Sequence, residues 1–201
     1  MSSSTLGDWS SNCSVTSNEE QKRDESLKKW TIPKVLTKDA YKQDLVSFAE
    51  TINTVEQTVD YSPNMQEIYL LNPKNLEQLK KKYNYIHIGL IQVAIKPLHR
   101  EGLNTSILLA LRDTRFLKFD DSLIGAIETS MCYGPVHFNC YPDISLPLKD
   151  ENILDALKIN LKSHGYNMKP ESIPIAVVHR IQYKAMKKIS CPRALRKFKK
   201  G

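Results

Sequence analysis

The sequence predicts an all-β protein, an antiparallel β-sandwich or barrel with one or two peripheral helices. About seven short segments alternate apolar and polar residues or form brief apolar runs, which is typical of strands. Turn signals rich in Gly, Pro, Asn and Asp separate them at intervals of about eight to twelve residues, which favours a sandwich over βαβ units. The 201 residues are 41% hydrophobic, enough for one domain with a sizeable core.

The first 62 residues are expected to lie outside the sandwich. Residues 1–30 are rich in Ser, Thr and Asn, which predicts a disordered tail. In residues 31–62, apolar side chains recur at helical spacing between Asp39 and Val59, which predicts an amphipathic helix packed on the domain or docked on a partner. No secretory signal is expected, and no apolar run approaches the roughly 20 residues that cross a bilayer.

Residues 63–184 are predicted to form the sandwich around two apolar strands. The first, at about 85–96, is apolar on both faces, which is typical of a central strand covered on two sides. Strict alternation would place the odd-numbered residues 87–95 on one face. The return strand begins at Ser106 and ends at the charged pair of Arg112 with Asp113.

The remaining elements follow from the spacing of their apolar residues, which alternate in a strand and recur every three or four residues in a helix. Short strands are predicted at 67–71, 136–141, 144–148, 157–162 and 175–184. Pro147 places one of them away from the centre of a sheet, because proline has no N–H to donate. Helical turns are predicted at 72–82 and at 120–131.

Positive charge is concentrated at the C-terminal end. The net charge is +7, and residues 185–201 form a basic tail that favours an arm binding polyanions. Together with the last strand residue, the tail contains the candidate nucleic-acid-binding residues Lys184, Lys187, Lys188, Arg193, Arg196, Lys197, Lys199 and Lys200. Phe198 could stack a base. A solvated tail or a nuclear address is the alternative interpretation.

Other lysines give weaker signals for a polyanion. The run Lys80–Lys82 is interpreted as a solvated helix face that could lie near a nucleic acid. If the predicted strands at 157–162 and 175–184 are neighbours, their basic side chains would form a positive stripe. Its members would be Lys158, Lys162, Arg180 and Lys184.

The sequence contains no phosphate loop, dinucleotide fingerprint or nucleophile elbow, so no enzyme is expected. Cys132, His137 and Cys140 lie close in sequence, but strand alternation points His137 away from Cys140, so no metal site is expected. His87 and His179 fall on apolar faces and are expected to satisfy their hydrogen bonds inside the fold.

Leu111 and Asp113 form a Leu-x-Asp motif, and Gly165 follows at a distance. This pattern resembles the signature of the 30K superfamily of plant virus movement proteins. Longer runs, over roughly residues 66–190, resemble the pararetrovirus branch of badnaviruses and caulimoviruses. These runs are IHIGLIQVAIKPLHREGLNTSILLALRDTRFLKFDDSLIG, GPVHFNCYPDISLPL, ALKINLKSHGYNM and IPIAVVHRIQYKAM.

The resemblance implies a jelly-roll-like sandwich with no cofactor, no small-molecule substrate and no catalysis. It implies binding of single-stranded nucleic acid and passage of the viral genome or virions between plant cells. The implied location is plasmodesmata, cell junctions and cytoplasm. Self-association, capsid protein and host plasmodesmal proteins are the implied partners.

The two signature residues that follow strands have structural expectations of their own. Asp113 is expected to accept hydrogen bonds from turn N–H groups, or to pair with Arg112 or Arg115. Gly165 is expected to take positive φ in a turn.

A capsid-like structural protein that self-assembles and packages nucleic acid is the alternative function. Capsid arms are commonly N-terminal, whereas the basic arm here is C-terminal. Movement proteins usually continue past this core, so the chain is interpreted as a fragment, a polyprotein segment or a host-integrated copy. Tubule-guided transport is less expected for that reason.

Overall fold

Nine strands in the described part of the chain form two antiparallel sheets that face each other. The computed structural model describes residues 30–41, 52–61, 67–98, 106–164 and 175–189. The strands are β1 (Ile52–Tyr61), β2 (Glu67–Tyr69), β3 (Tyr85–Pro97), β4 (Ser106–Asp113), β5 (Leu123–Ser130), β6 (Val136–Cys140), β7 (Ile144–Pro147), β8 (Leu157–His164) and β9 (Ile175–Met186).

The strand order is that of a jelly roll. The first sheet runs β1–β9–β3–β6, with β7 also paired to β3, and the second runs β2–β8–β4–β5. Partners nest along the chain, β1 with β9, β2 with β8, β3 with β6 and β7, and β4 with β5. The chain is therefore one long antiparallel hairpin wound into two sheets, which is the double Greek key of a jelly roll. The predicted all-β, jelly-roll-like sandwich is confirmed.

The core lies between the two sheets. Strand β3 is central and buried on both faces, as the sequence predicted. The return strand β4 belongs to the opposite sheet, so the two apolar strands face each other across the core. Ile88, Ile95, Leu109 and Leu111 are among the fully buried residues that meet there.

A β-bulge changes the face that β3 presents to the core. The pairing of β3 with β9 shifts register between Ile88 and Leu90. Ile88 packs in the core before the bulge, whereas Ile91 and Val93 do so after it. The strict alternation predicted from the sequence is therefore wrong, because a run that is apolar on both faces does not mark such a slip.

Two segments that were predicted to be helical form strands instead. Residues 52–59 lie in β1, paired with β9, and residues 42–51 lie outside the described part. Residues 123–130 form β5, paired with β4. In β1, Val55 and Val59 are four residues apart, a spacing that fits an i, i+4 helix face and also one face of a strand. In β5, Ile124 and Ile127 pack on the core three residues apart, a helical spacing that a strand shows here because its pairing with β4 shifts register between Leu111 and Arg112. Pairing with a buried neighbouring strand decides between the two.

Among the described residues, α1 (Thr37–Ala40) precedes β1, whereas α2 (Pro73–Lys80) and α3 (Phe119–Ser122) connect strands. The predicted helix at 72–82 is confirmed by α2. Asn72 caps it by accepting a 2.9 Å hydrogen bond from the backbone N of Lys74, and Leu76 is buried. Within the described residues, no helix has the length and apolar character needed to cross a membrane.

Residues 30–41 cross the outer face of the first sheet, and we call this segment the strap. Polar side chains of β3 and β9 donate hydrogen bonds to its backbone carbonyls. These bonds join Gln92 Nε2 to Pro33 O (2.9 Å), Arg180 Nη1 to Pro33 O (3.1 Å), Arg180 Nη2 to Ile32 O (3.2 Å) and Gln182 Nε2 to Val35 O (3.0 Å). The Ile32 side chain packs on Ala94 and Val178. The strap is therefore why β3 and β9 are buried on both faces.

Candidate nucleic-acid interface

The Leu-x-Asp motif closes β4. Leu111 lies in the core, and Asp113 is 3% exposed. The Asp113 carboxylate accepts hydrogen bonds from Arg115, from its backbone N at 3.2 Å, Nε at 2.8 Å and Nη2 at 2.6 Å. Asp113 therefore pairs with Arg115 and accepts a turn N–H, that of Arg115, as expected, but it does not pair with Arg112. Gly165 lies outside the described residues.

Arg112 points the other way, onto the outer face of the second sheet. Its Nε donates to Ser122 Oγ at 2.8 Å, and its guanidinium lies 4.8 Å from the centre of the Phe119 ring. Its Nη1 makes a weaker contact of 3.5 Å with Asn160 Oδ1. In the part of the chain that the structure describes, no carboxylate pairs with Arg112, so its charge is available to an anion.

The stripe expected from Lys158, Lys162, Arg180 and Lys184 is wrong, because β8 and β9 belong to different sheets. Arg180 is 6% exposed and donates through Nε to Glu56 at 2.7 Å. Lys158 forms ion pairs with Glu67 at 3.2 Å and Asp155 at 3.0 Å. Both cations therefore serve the fold rather than an external polyanion.

Exposed lysines gather where β9 ends. Asn84 joins three loops there: its N donates to Met186 O at 3.0 Å, its Nδ2 donates to Lys187 O at 2.9 Å, and its carbonyl accepts from Leu148 N at 2.8 Å. The six exposed lysines on these loops and at the end of α2, which we call the basic end, are Lys80, Lys81, Lys82, Lys149, Lys187 and Lys188. Residues 190–201 follow directly in sequence.

The structure places only part of the predicted basic tail. Lys187 and Lys188 are exposed at the basic end. Lys184 is half-buried inside β9, which continues to Met186, beyond the predicted end of the sandwich. The rest lie outside the described residues: Arg193, Arg196, Lys197, Lys199 and Lys200. The run Lys80–Lys82 was visible in the sequence, but nothing there placed it beside the end of β9.

The two histidines on apolar faces, His87 and His179, differ in their hydrogen bonding. His87 Nε2 lies 2.9 Å from Asp143 Oδ1, and its Nδ1 lies 3.2 Å from Tyr41 Oη, so the expectation is confirmed for His87. It is wrong for His179, since neither ring nitrogen has a partner and the ring is 1% exposed. Burial lowers the pKa of His179 to about 4, and the nearby Leu70 backbone, which is not placed for a hydrogen bond to the ring, offsets this shift only in part. The described residues contain no cluster of His, Cys, Asp or Glu suited to a metal ion.

Comparison with solved structures gives matches of low identity. A chain in the structure of turnip yellow mosaic virus matches with a TM-score of 0.49 at 13% identity, covering 71% of this chain and 97% of that chain. A chain of tobacco necrosis virus matches with a TM-score of 0.48 at 11% identity, covering 70% and 97%.

Comparison with protein sequences identifies the family. The family model of the viral movement protein (MP) matches residues 17–191. The movement protein of soybean chlorotic mottle virus is 31% identical over 121 residues, covering 60% of this chain and 40% of that protein. For the movement protein of figwort mosaic virus (strain DxS), identity is 29% over 112 residues, covering 51% and 35%.

The chain thus spans two fifths or less of the length of these two curated relatives. These relatives confirm the resemblance to pararetrovirus movement proteins, and the family model covers most of the sequence. The chain belongs to the viral movement protein family.

Proposed function

We propose that the protein binds single-stranded nucleic acid at the basic end and helps a viral genome pass between plant cells at plasmodesmata, without catalysis. The observation that supports this most is the basic end itself. Three loops that are distant in sequence bring six exposed lysines together, and the basic residues 190–201 follow directly.

The chemistry of the basic end fits a strand of any sequence. A lysine ammonium is a flexible point charge that binds phosphate rather than reading a base edge. Each phosphate that it neutralises releases condensed counterions, so binding should weaken steeply as salt rises. A protein that must accompany a whole genome needs this kind of contact.

Neutralising two lysines of the basic end should weaken binding to a fluorescent oligothymidylate, measured by anisotropy over a salt series. For Lys82→Gln with Lys187→Gln, we expect the slope of log affinity against log salt to fall in magnitude by about 1.4, at about 0.7 per phosphate contact. The matched control is Lys34→Gln with Lys162→Gln, which removes the same charge from exposed lysines elsewhere. Equal slopes for the two double variants would place the phosphate contacts outside the basic end.

The cellular part of the proposal has a separate test. A fluorescent fusion of the full chain, expressed in single leaf cells, is expected to collect as puncta at cell-wall junctions and to appear in neighbouring cells. The unfused fluorophore is the control. A fusion that stays diffuse in the cytoplasm would contradict action at plasmodesmata. Self-association and contacts with capsid and host plasmodesmal proteins belong to the same proposal, and the family resemblance supports them.

A further inference from the structure

We propose that the outer face of the second sheet provides a base-stacking surface for the same strand. The surface is the aromatic–cation row, which consists of Tyr69, Lys158, Arg112 and Phe119. The inference rests on the proposed function, because it requires a single strand to bind. It adds a second kind of contact, since the basic end contributes charge and the row contributes aromatic rings.

Three of the side chains lie on neighbouring strands, and the fourth, Phe119, lies on α3 beside Arg112. Tyr69 of β2 is paired with Lys158 of β8, and Lys158 is paired with Arg112 of β4. Lys158 Nζ lies 4.8 Å from the centre of the Tyr69 ring, and the Arg112 guanidinium lies 4.8 Å from the centre of the Phe119 ring. Because neighbouring strands are about 4.8 Å apart, the backbones of β2 and β4 are about 10 Å apart. The row therefore presents two rings, one at each end, with two cations between them.

Both rings remain available to a ligand. Tyr69 is 49% exposed and Phe119 is 53% exposed, although a cation is in contact with each ring. A ring held by a cation loses little rotamer freedom when a second group stacks on it. Every base has a π-face, so stacking on such a ring is tolerant of sequence. Phosphate contacts at the basic end would be equally independent of base identity.

The two cations of the row have different roles. Lys158 is neutralised by Glu67 and Asp155, so it orients Tyr69 and offers no charge to a phosphate. Arg112 contacts neutral groups among the described residues, so a phosphate between two stacked bases would meet its guanidinium. The exposed Asp120 and Asp121 on α3 limit the positive charge here, so stacking should dominate over charge.

The row and the basic end lie at the same end of the sandwich. The loop 148–156 connects them: Leu148 N donates to Asn84 O at 2.8 Å beside the basic end, and Ala156 O accepts from Thr114 N at 3.0 Å beside the row. The row therefore lies one loop away from Lys149. The loop also carries Asp150, Glu151 and Asp155, so a bound strand would contact Lys149 and Arg112 rather than the loop itself.

The test measures affinity for a fluorescent oligothymidylate across a salt series, using the full chain. Tyr69→Ala and Phe119→Ala are each expected to weaken binding by about tenfold with an unchanged salt slope, because a stacked base is lost and no charge is removed. Tyr69→Phe is expected to bind like the parent, because it keeps the ring. The control is Tyr133→Ala, which removes an exposed ring at the opposite end of the sandwich. Thermal unfolding of each variant checks that the fold is kept.

The outcomes separate this inference from the proposed function. A parent that does not bind the oligonucleotide would refute both. A parent that binds while both alanine variants bind equally well would overturn the row and leave the basic end standing. Alanine variants that bind normally but sediment as a smaller species would also overturn it, because a second copy of the chain would then cover the row.

Discussion

The buried carboxylate of Asp113 stabilises the turn that follows β4, through its three contacts with Arg115. Asp113→Ala leaves a turn N–H and a guanidinium without their acceptor, which we expect to cost about 2 kcal/mol in the free energy of unfolding. Urea denaturation measures this cost. The control Asp120→Ala removes an exposed carboxylate nearby and should stay within about 0.5 kcal/mol of the parent. An Asp113→Ala protein that melts like the parent yet fails to reach cell junctions would instead make Asp113 a partner contact.

His179 makes stability depend on pH. Its pKa is lowered to about 4 in the folded protein, whereas an unfolded histidine titrates near 6.5. The unfolded state therefore binds more protons between these values, so stability is full above about pH 6.5 and is lost as pH falls toward 4. We expect a loss of about 2 kcal/mol between pH 7 and pH 5 from this residue alone.

The measurement is the free energy of unfolding at both pH values for the parent and for His179→Leu. The leucine variant should lose less stability on acidification than the parent, because its side chain does not titrate. His137→Gln, which changes an exposed histidine, should keep the parental dependence. Equal losses for the parent and His179→Leu would assign the pH dependence to other groups.

The strap shows how an element can be fixed by residues that look solvent-facing in sequence. Gln92, Arg180 and Gln182 alternate with apolar neighbours, so they could be taken for the wet side of a strand. They bind the strap backbone, and no local pattern predicts a partner more than fifty residues away. The strands themselves were predictable, because their signal is the period of their own side chains.

Close packing of the strap depends on Gly89. A Cβ at this position would lie 2.6 Å from Tyr41 Cζ, and the Tyr41 hydroxyl donates to His87 O at 2.8 Å. We expect Gly89→Ala to displace Tyr41 and to cost about 1–2 kcal/mol. In a double-mutant cycle, this cost should shrink when Tyr41→Ala is already present. When Gly89→Ala is combined with the control Tyr133→Ala, the two losses of unfolding free energy should add. If they also add when Gly89→Ala is combined with Tyr41→Ala, the clash with Tyr41 does not explain the cost of Gly89→Ala.

At the scale of the whole molecule, the candidate site is a product of topology. The sequence showed the lysine runs separately, and it also showed the family motif. The contact between Asn84 and Lys187 spans 103 residues, and it exists only because β3 and β9 are neighbours in the jelly roll. The same topology places the aromatic–cation row at that end of the sandwich, through strands from three parts of the chain.

The most direct measurement is photo-cross-linking of the full chain to a thiothymidine oligonucleotide, followed by mass spectrometry of the cross-linked peptides. Cross-links are expected on peptides containing residues 80–84 and 187–188 of the basic end, and on those containing Tyr69 or Phe119. Cross-links confined to the strap, or to the opposite end of the sandwich around Tyr133, would contradict binding at this end of the molecule.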